Sequence, residues 1–224
     1  RKIIMKKYWA ELLGTYILVF VGTGAIMINE ITGGTVSHLG VGLSFGLVVM
    51  AMIYAIGDIS GAHINPAVTI AFAIAKRFPK NQILPYISFQ LAGAILASAS
   101  LYFIFPESNT MGETLPLKED WIQSFMLEFI LTFILMFVIL NVSTGSKEKG
   151  ITAALAVGGV VAFEATFAGP ISGASMNPAR SIAPAIFSGE LTHLWLYVIA
   201  TILGSILAVY SCKLIQSDKC CDNC

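Results

Sequence analysis

Two stretches carry the hydrogen-bonding and charged side chains that matter most in an otherwise apolar chain. Ser60-Gly61-Ala62-His63-Ile64-Asn65-Pro66-Ala67-Val68-Thr69 returns as Ser172-Gly173-Ala174-Ser175-Met176-Asn177-Pro178-Ala179-Arg180-Ser181, with Asn65 and Asn177 standing 112 residues apart in a chain of 224. In each copy an Asn suited to cap a helix is followed by Pro at the first helical position, where its missing N–H costs nothing. Each copy therefore reads as a loop that starts a helix. The helix begun at Pro66 stays apolar only to Ala75, before Lys76 and Arg77, about 15 Å of rise against a hydrocarbon core of about 30 Å. Such a helix enters a membrane without crossing it.

Non-helical backbone in hydrocarbon leaves N–H and C=O groups unpaired at several kcal/mol each, so these loops must be buried in protein or line a water-filled path. Two related loops argue for a path. Each Asn oxygen can accept from its own helix while its NH2 turns donors into the lumen. The carbonyls of Gly61, Ala62 and His63, and of Gly173, Ala174 and Ser175, supply a complementary row of acceptors. Each helix start carries about half a positive charge, so two of them facing one another repel cations, hydronium included. A water oxygen held by both Asn donors cannot accept from its neighbours, which breaks a proton wire.

Arg180 is the one charged side chain in either stretch. A charge at membrane depth is expensive unless it meets water or a partner, so it reads as lumen-lining. His63 has no Cys, Asp or second His beside it and reads as a loop histidine, with no metal expected. Glu11 and Glu128 take matched places early in their spans and read as acceptors for backbone N–H groups of the two loops. Glu164 directly precedes Ala165. It either bonds the loop of residues 168–174 or sets the polarity at position 165, its side chain turned about 100° away from that of its neighbour.

The scaffold around these residues can be read from composition. The chain is 56% hydrophobic and 12% charged with a mean hydropathy of +0.80, too apolar for a soluble domain. A net charge of zero argues against nucleic acid as a partner and leaves the lipid bilayer and the contents of a pore. Six apolar runs are long enough to span: 8–28, 39–56, 83–105, 122–142, 151–167 and 194–215. The 8–28 run is too long for a signal segment and reads as the first span. An Asn-Pro-Ala segment follows the second span and the fifth. Three spans and a half-span, repeated, predict an all-α membrane protein built as an inverted repeat (8–105 and 121–215), with a tail at 216–224. Placing both termini in the cytoplasm puts eleven of the thirteen Lys and Arg residues on that side, all but Lys118 and Arg180. Gly14, Gly22, Gly42, Gly46, Gly93, Ala97, Gly158 and Gly204 fall at helical spacing and mark close helix crossings. Asp58, at a span end, reads as solvated. Cys212, Cys220, Cys221 and Cys224 lie in or beside the tail with no second cluster, so no structural disulfide is expected. The loop at 143–150 reads as a solvated connection.

Paired Asn-Pro-Ala half-helices in a six-span inverted repeat, with Arg three residues after the second Asn, resemble the aquaporin family. The run from Phe167 to Arg180 is most similar to the nodulin-like intrinsic proteins and their bacterial relatives. The resemblance implies a passive channel for water and small uncharged solutes such as glycerol, assembled as a homotetramer in a cell or inner membrane, with no cofactor. It also places a narrow filter at Phe45, Ala165, Ala174 and Arg180. Exclusion of protons and cations by half-helix dipoles and an Arg is general to such pores. Water-selective members carry His where Ala165 stands, so a wider opening is expected, with a Phe wall facing an Arg. The alternative is a secondary transporter with an inverted repeat, which needs coupling carboxylates between the half-helices. An enzyme is not expected, for no nucleophile–base pair or metal triad is present.

Overall fold

The computed structural model describes the backbone of residues 2–143 and 147–216 and the side chains of residues 5–143 and 152–216. The side chains of Arg1, Lys2, Lys147, Lys149 and Lys219, the loop residues 144–146 and the tail Cys220, Cys221 and Cys224 lie outside the described residues. Eight α-helices are described: α1 (Lys2–Ile31), α2 (Ser37–Ser60), α3 (Pro66–Ile74), α4 (Ile83–Ile104), α5 (Trp121–Val142), α6 (Lys147–Ser172), α7 (Pro178–Ser188) and α8 (Leu194–Gln216). Six are long and apolar enough to cross a membrane. α3, at nine residues, rises about 14 Å and reaches roughly halfway.

The packing repeats with the sequence. α1 lies against α2 and α4, and α5 against α6 and α8; α2 and α6 pack on one another, while α3 lies against α8 and α7 against α4. Each half-helix is thus clasped by a span of the opposite repeat. Glycines make these crossings close. A Cβ at Gly93 would come 2.2 Å from the Leu12 carbonyl oxygen of α1, and one at Gly204 would come 2.2 Å from the Phe129 carbonyl oxygen of α5. At the α2–α6 crossing, Gly46 meets the Gly158 carbonyl oxygen in the same way, at 2.5 Å.

The spans run past the apolar runs that announce them. α6 continues beyond Phe167 through Pro170 to Ser172. Pro170 lacks the N–H that would pair with the Thr166 carbonyl four residues back. His38, at the start of α2, supplies the missing donor: its Nε2 lies 2.6 Å from Thr166 O, which puts the ring proton on Nε2. The expectation of no disulfide is corrected: Cys212, buried near the end of α8, is disulfide-bonded. Asp58 is exposed.

Candidate functional site

Both re-entrant loops use backbone that L-residues resist. Gly61 caps α2 at φ 88°, and Ala62 and Ile64 follow at 47° and 42°; the second loop repeats this at Gly173 (82°), Ala174 (43°) and Met176 (55°). Each non-glycine residue there costs roughly 1–2 kcal/mol. Two buried carboxylates hold the loops in this form. Glu11 Oε1 accepts from Ser60 Oγ (2.7 Å) and His63 N (2.9 Å), and its Oε2 accepts from Ile64 N (2.7 Å) and Gln90 Nε2 (2.8 Å). Glu128 Oε1 accepts from Ser172 Oγ (2.8 Å) and Ser175 N (2.8 Å), and Oε2 from Met176 N (2.9 Å). Loop donors that would be orphaned in the bundle are thereby satisfied. Carboxylates engaged in this way make poor coupling groups for a transporter.

The helices after the loops start as their sequences require. Asn65 Oδ1 accepts from Ala67 N at 2.9 Å and Asn177 Oδ1 from Ala179 N at 3.0 Å, with Pro66 and Pro178 at the first helical positions. The amide nitrogens then cross between the repeats. Asn65 Nδ2 donates to Met176 O at 2.8 Å, and Asn177 Nδ2 donates to Ile64 O at 2.9 Å. This reciprocal pair ties the two helix starts together. One N–H of each amide is spent on the tie, and one remains.

Asn65, Asn177 and Arg180 line one cavity with Gly61, Ala62, His63, Ala174 and Ser175. The cavity runs from Phe45 and Arg180 past both Asn residues to Val142, Ser143 and Ala153, where α5 ends and α6 begins. Its remaining wall is aliphatic, from residues such as Leu18, Val49, Val68 and Val161. Pro66, Ala67, Pro178 and Ala179 are buried behind the Asn residues and do not line it, and neither does Gly173. His63 is packed among Phe72, Phe78 and Tyr86, with Nδ1 3.1 Å from Thr69 Oγ1.

Arg180 is 1% exposed. Its Nη1 donates to Gly112 O at 2.7 Å, while Nε and Nη2 have no protein partner among the described residues. The Phe45 ring centroid lies 5.2 Å from its guanidinium carbon, within cation–π range. Here the structure departs from expectation: Phe45 does not face Arg180 across a wide lumen but lies against it. Gly22 of α1 makes the room, since a Cβ there would come 2.2 Å from the ring. Ala165 and Ala174 are buried in the same apolar cluster as Phe45, and Ala165 does not line the cavity. Glu164 makes no bond to the loop of residues 168–174. It is fully buried with both oxygens unpartnered among the described residues.

Sequence patterns give little sign of the segment that reaches Arg180 from the loop between α4 and α5. Gly112 (φ 66°) fits against Thr23 of α1 where a Cβ would come 2.8 Å from the Thr23 carbonyl oxygen. Glu113 beside it hydrogen-bonds the Ser188 hydroxyl, and Thr114 Oγ1 donates to Ser181 Oγ at 2.8 Å. Burial raises the Glu113 carboxyl above its ordinary value, against the lowering effect of Ser188. The only sequence signal for this contact is the Gly112 itself.

Six spans enclosing two half-helices that meet Asn to Asn on a single cavity define a passive membrane pore. A family profile described as major intrinsic protein matches residues 1–211. Aquaporin NIP1-1 of Zea mays is 46% identical over 213 residues, covering 95% of this chain and 75% of the relative. Aquaporin NIP1-3 of Oryza sativa is 47% identical over 218 residues, with 96% and 75% covered. The crystal structure of the aquaglyceroporin from Plasmodium falciparum superimposes with a TM-score of 0.85 at 25% identity, covering 96% of both chains. The chain belongs to the major intrinsic protein family, the aquaporins. It is an integral membrane channel for water and small uncharged solutes, and not an enzyme.

Proposed function

We propose that this channel passes glycerol-sized neutral solutes as well as water while excluding protons and ions. The observation that carries the reading is Arg180. It has one guanidinium nitrogen fixed to a backbone carbonyl and two without partners among the described residues, in a side chain that lines the same cavity as the paired Asn65 and Asn177. In this reading Arg180 donates to a solute hydroxyl, Phe45 supplies apolar contact beside it, Ala174 lines the remaining side, and the short Ala165 methyl, set back from the cavity, leaves that side open. The carbonyls of Gly61, Ala62, His63, Ala174 and Ser175 accept from the solute along the path, and the free N–H of each Asn donates at the centre. The facing positive helix ends and Arg180 oppose cations. Glu11 and Glu128 serve as loop supports, and Asn-Pro-Ala at 65–67 and 177–179 as the pore centre.

The basic residues favour cytoplasmic termini in a cell or inner membrane. One channel unit comprises the repeats 8–105 and 121–215, and four copies form the homotetramer by likeness to the family. The test is flux in proteoliposomes. Ala165→His should suppress glycerol more than water, and Arg180→Ala should admit larger solutes. Equal loss of both fluxes in the first, or an unchanged solute profile in the second, removes that residue from the filter.

A further inference from the structure

We infer that Glu30, at the outer end of α1, is a positioning residue for solute selection, acting through the loop that holds Arg180. The inference rests on the reading of Arg180 as the filter. Glu30 does not line the cavity. Its Oε2 accepts from Ser108 Oγ (2.8 Å) and Thr110 Oγ1 (2.8 Å), and its Oε1 accepts from Asn109 N (3.2 Å). One carboxylate thus gathers three consecutive residues of the loop between α4 and α5.

The next residues of that loop touch Arg180. Glu113 N bonds back to Thr110 O at 2.9 Å, which closes a turn over residues 110–113. Met111 anchors that turn in a buried cluster with Met27 and Leu101, and Gly112 O receives the Arg180 Nη1 hydrogen at 2.7 Å. The inner side of the turn is fixed to α7 by Glu113 with Ser188 and Thr114 with Ser181. The outer side is fixed by Glu30. Charged acceptors make the stronger hydrogen bonds, and without the carboxylate the two hydroxyls and the amide of residues 108–110 turn to water. The turn that carries the Gly112 carbonyl then keeps its α7 bonds and the packing of Met111 and Gly112 on α1 but loses the polar clamp on its outer side, and the guanidinium that the carbonyl aims gains freedom. A filter works by presenting donors at fixed points, so this freedom costs discrimination before it costs flux.

The experiment compares Glu30→Ala, Glu30→Gln, Arg180→Ala and the double variant Glu30→Ala/Arg180→Ala in proteoliposomes. It reads the ratio of erythritol to glycerol permeability, which does not depend on how much channel is inserted. Glu30→Ala should raise the ratio about fivefold, the equivalent of ~1 kcal/mol at 1.4 kcal/mol per tenfold. Glu30→Gln, which keeps one acceptor oxygen, should fall between, and it decides the matter if the alanine variant does not reconstitute. Arg180→Ala should raise the ratio further, and the double variant should match Arg180→Ala alone. If Arg180→Ala shifts the ratio and the Glu30 variants do not, the clamp is refuted while the filter stands. If Glu30→Ala still shifts the ratio when Arg180 is absent, Glu30 acts by another route and the inference fails. If Arg180→Ala leaves the ratio unchanged, the filter reading fails and takes the inference with it.

Discussion

Glu128→Gln removes one charge and one acceptor from a fully buried site without changing its shape. The carboxylate accepts two bonds on Oε1, from Ser172 Oγ and Ser175 N, and one on Oε2, from Met176 N. An amide keeps its oxygen on the side with two donors and turns its NH2 toward Met176 N, so one backbone N–H loses its partner and faces another donor. Leaving a buried donor unsatisfied costs about 1–3 kcal/mol, and exchanging charged for neutral acceptors weakens the two bonds that remain. The total is roughly 2–4 kcal/mol, which for a chain of this length lowers the midpoint of thermal unfolding by roughly 5–15 °C. Met176 and Ala174, both at positive φ, then relax toward ordinary backbone, and the water permeability per channel falls. The assay is thermal unfolding in detergent paired with stopped-flow water flux, with the exposed Asp58→Asn as control. A Glu128→Gln variant that melts with the wild type and conducts normally refutes the loop-support role. So does one whose only change is in the pH dependence of flux, which would mark a proton relay.

Packing and charge give three further expected outcomes. Gly22→Ala should push the Phe45 ring toward Arg180, since the added Cβ would come 2.2 Å from the ring; reconstituted channels should lose glycerol flux more than water flux. Gly93→Ala and Gly204→Ala each drive a methyl onto a backbone oxygen 2.2 Å away and should each cost about 1–3 kcal/mol in chemical or thermal unfolding. Glu113, held above its ordinary value by burial, binds its proton more readily folded than unfolded. Its contribution to stability is therefore full below the usual carboxylate range and lost as pH rises through its folded value. Melting followed across that window should show this loss, and Glu113→Gln should flatten it.

Most of the architecture is legible in the sequence because it rests on local rules. Asn before Pro at the head of an apolar stretch favours a capped helix start, and apolar runs of membrane length have few other uses. The helix ends are less legible. α6 passes through Pro170 because His38, far away in sequence, replaces the lost donor, and no local pattern announces such a pairing. The same reason hides the crossed Asn–carbonyl bonds at the centre and the reach of Gly112 to Arg180. Sequence offers no distance between Phe45 and Arg180; Gly22, on another helix, lets the ring settle against the guanidinium. Glu164 is buried with no hydrogen-bond partner among the described residues, and nothing in the structure explains it.

Stopped-flow measurements on proteoliposomes, with light scattering for volume and an entrapped pH-sensitive dye for protons, bear most directly on the solute range and the proton barrier together. Proteoliposomes are shocked once with an impermeant sugar and once with glycerol, against protein-free vesicles. The expected result is accelerated shrinkage in sugar and rapid reswelling in glycerol, with no added proton leak under an imposed pH gradient. Shrinkage without glycerol reswelling would contradict the solute range assigned to Phe45, Ala165, Ala174 and Arg180. Proton flux at the rate of water would contradict the mechanism placed at Asn65 and Asn177.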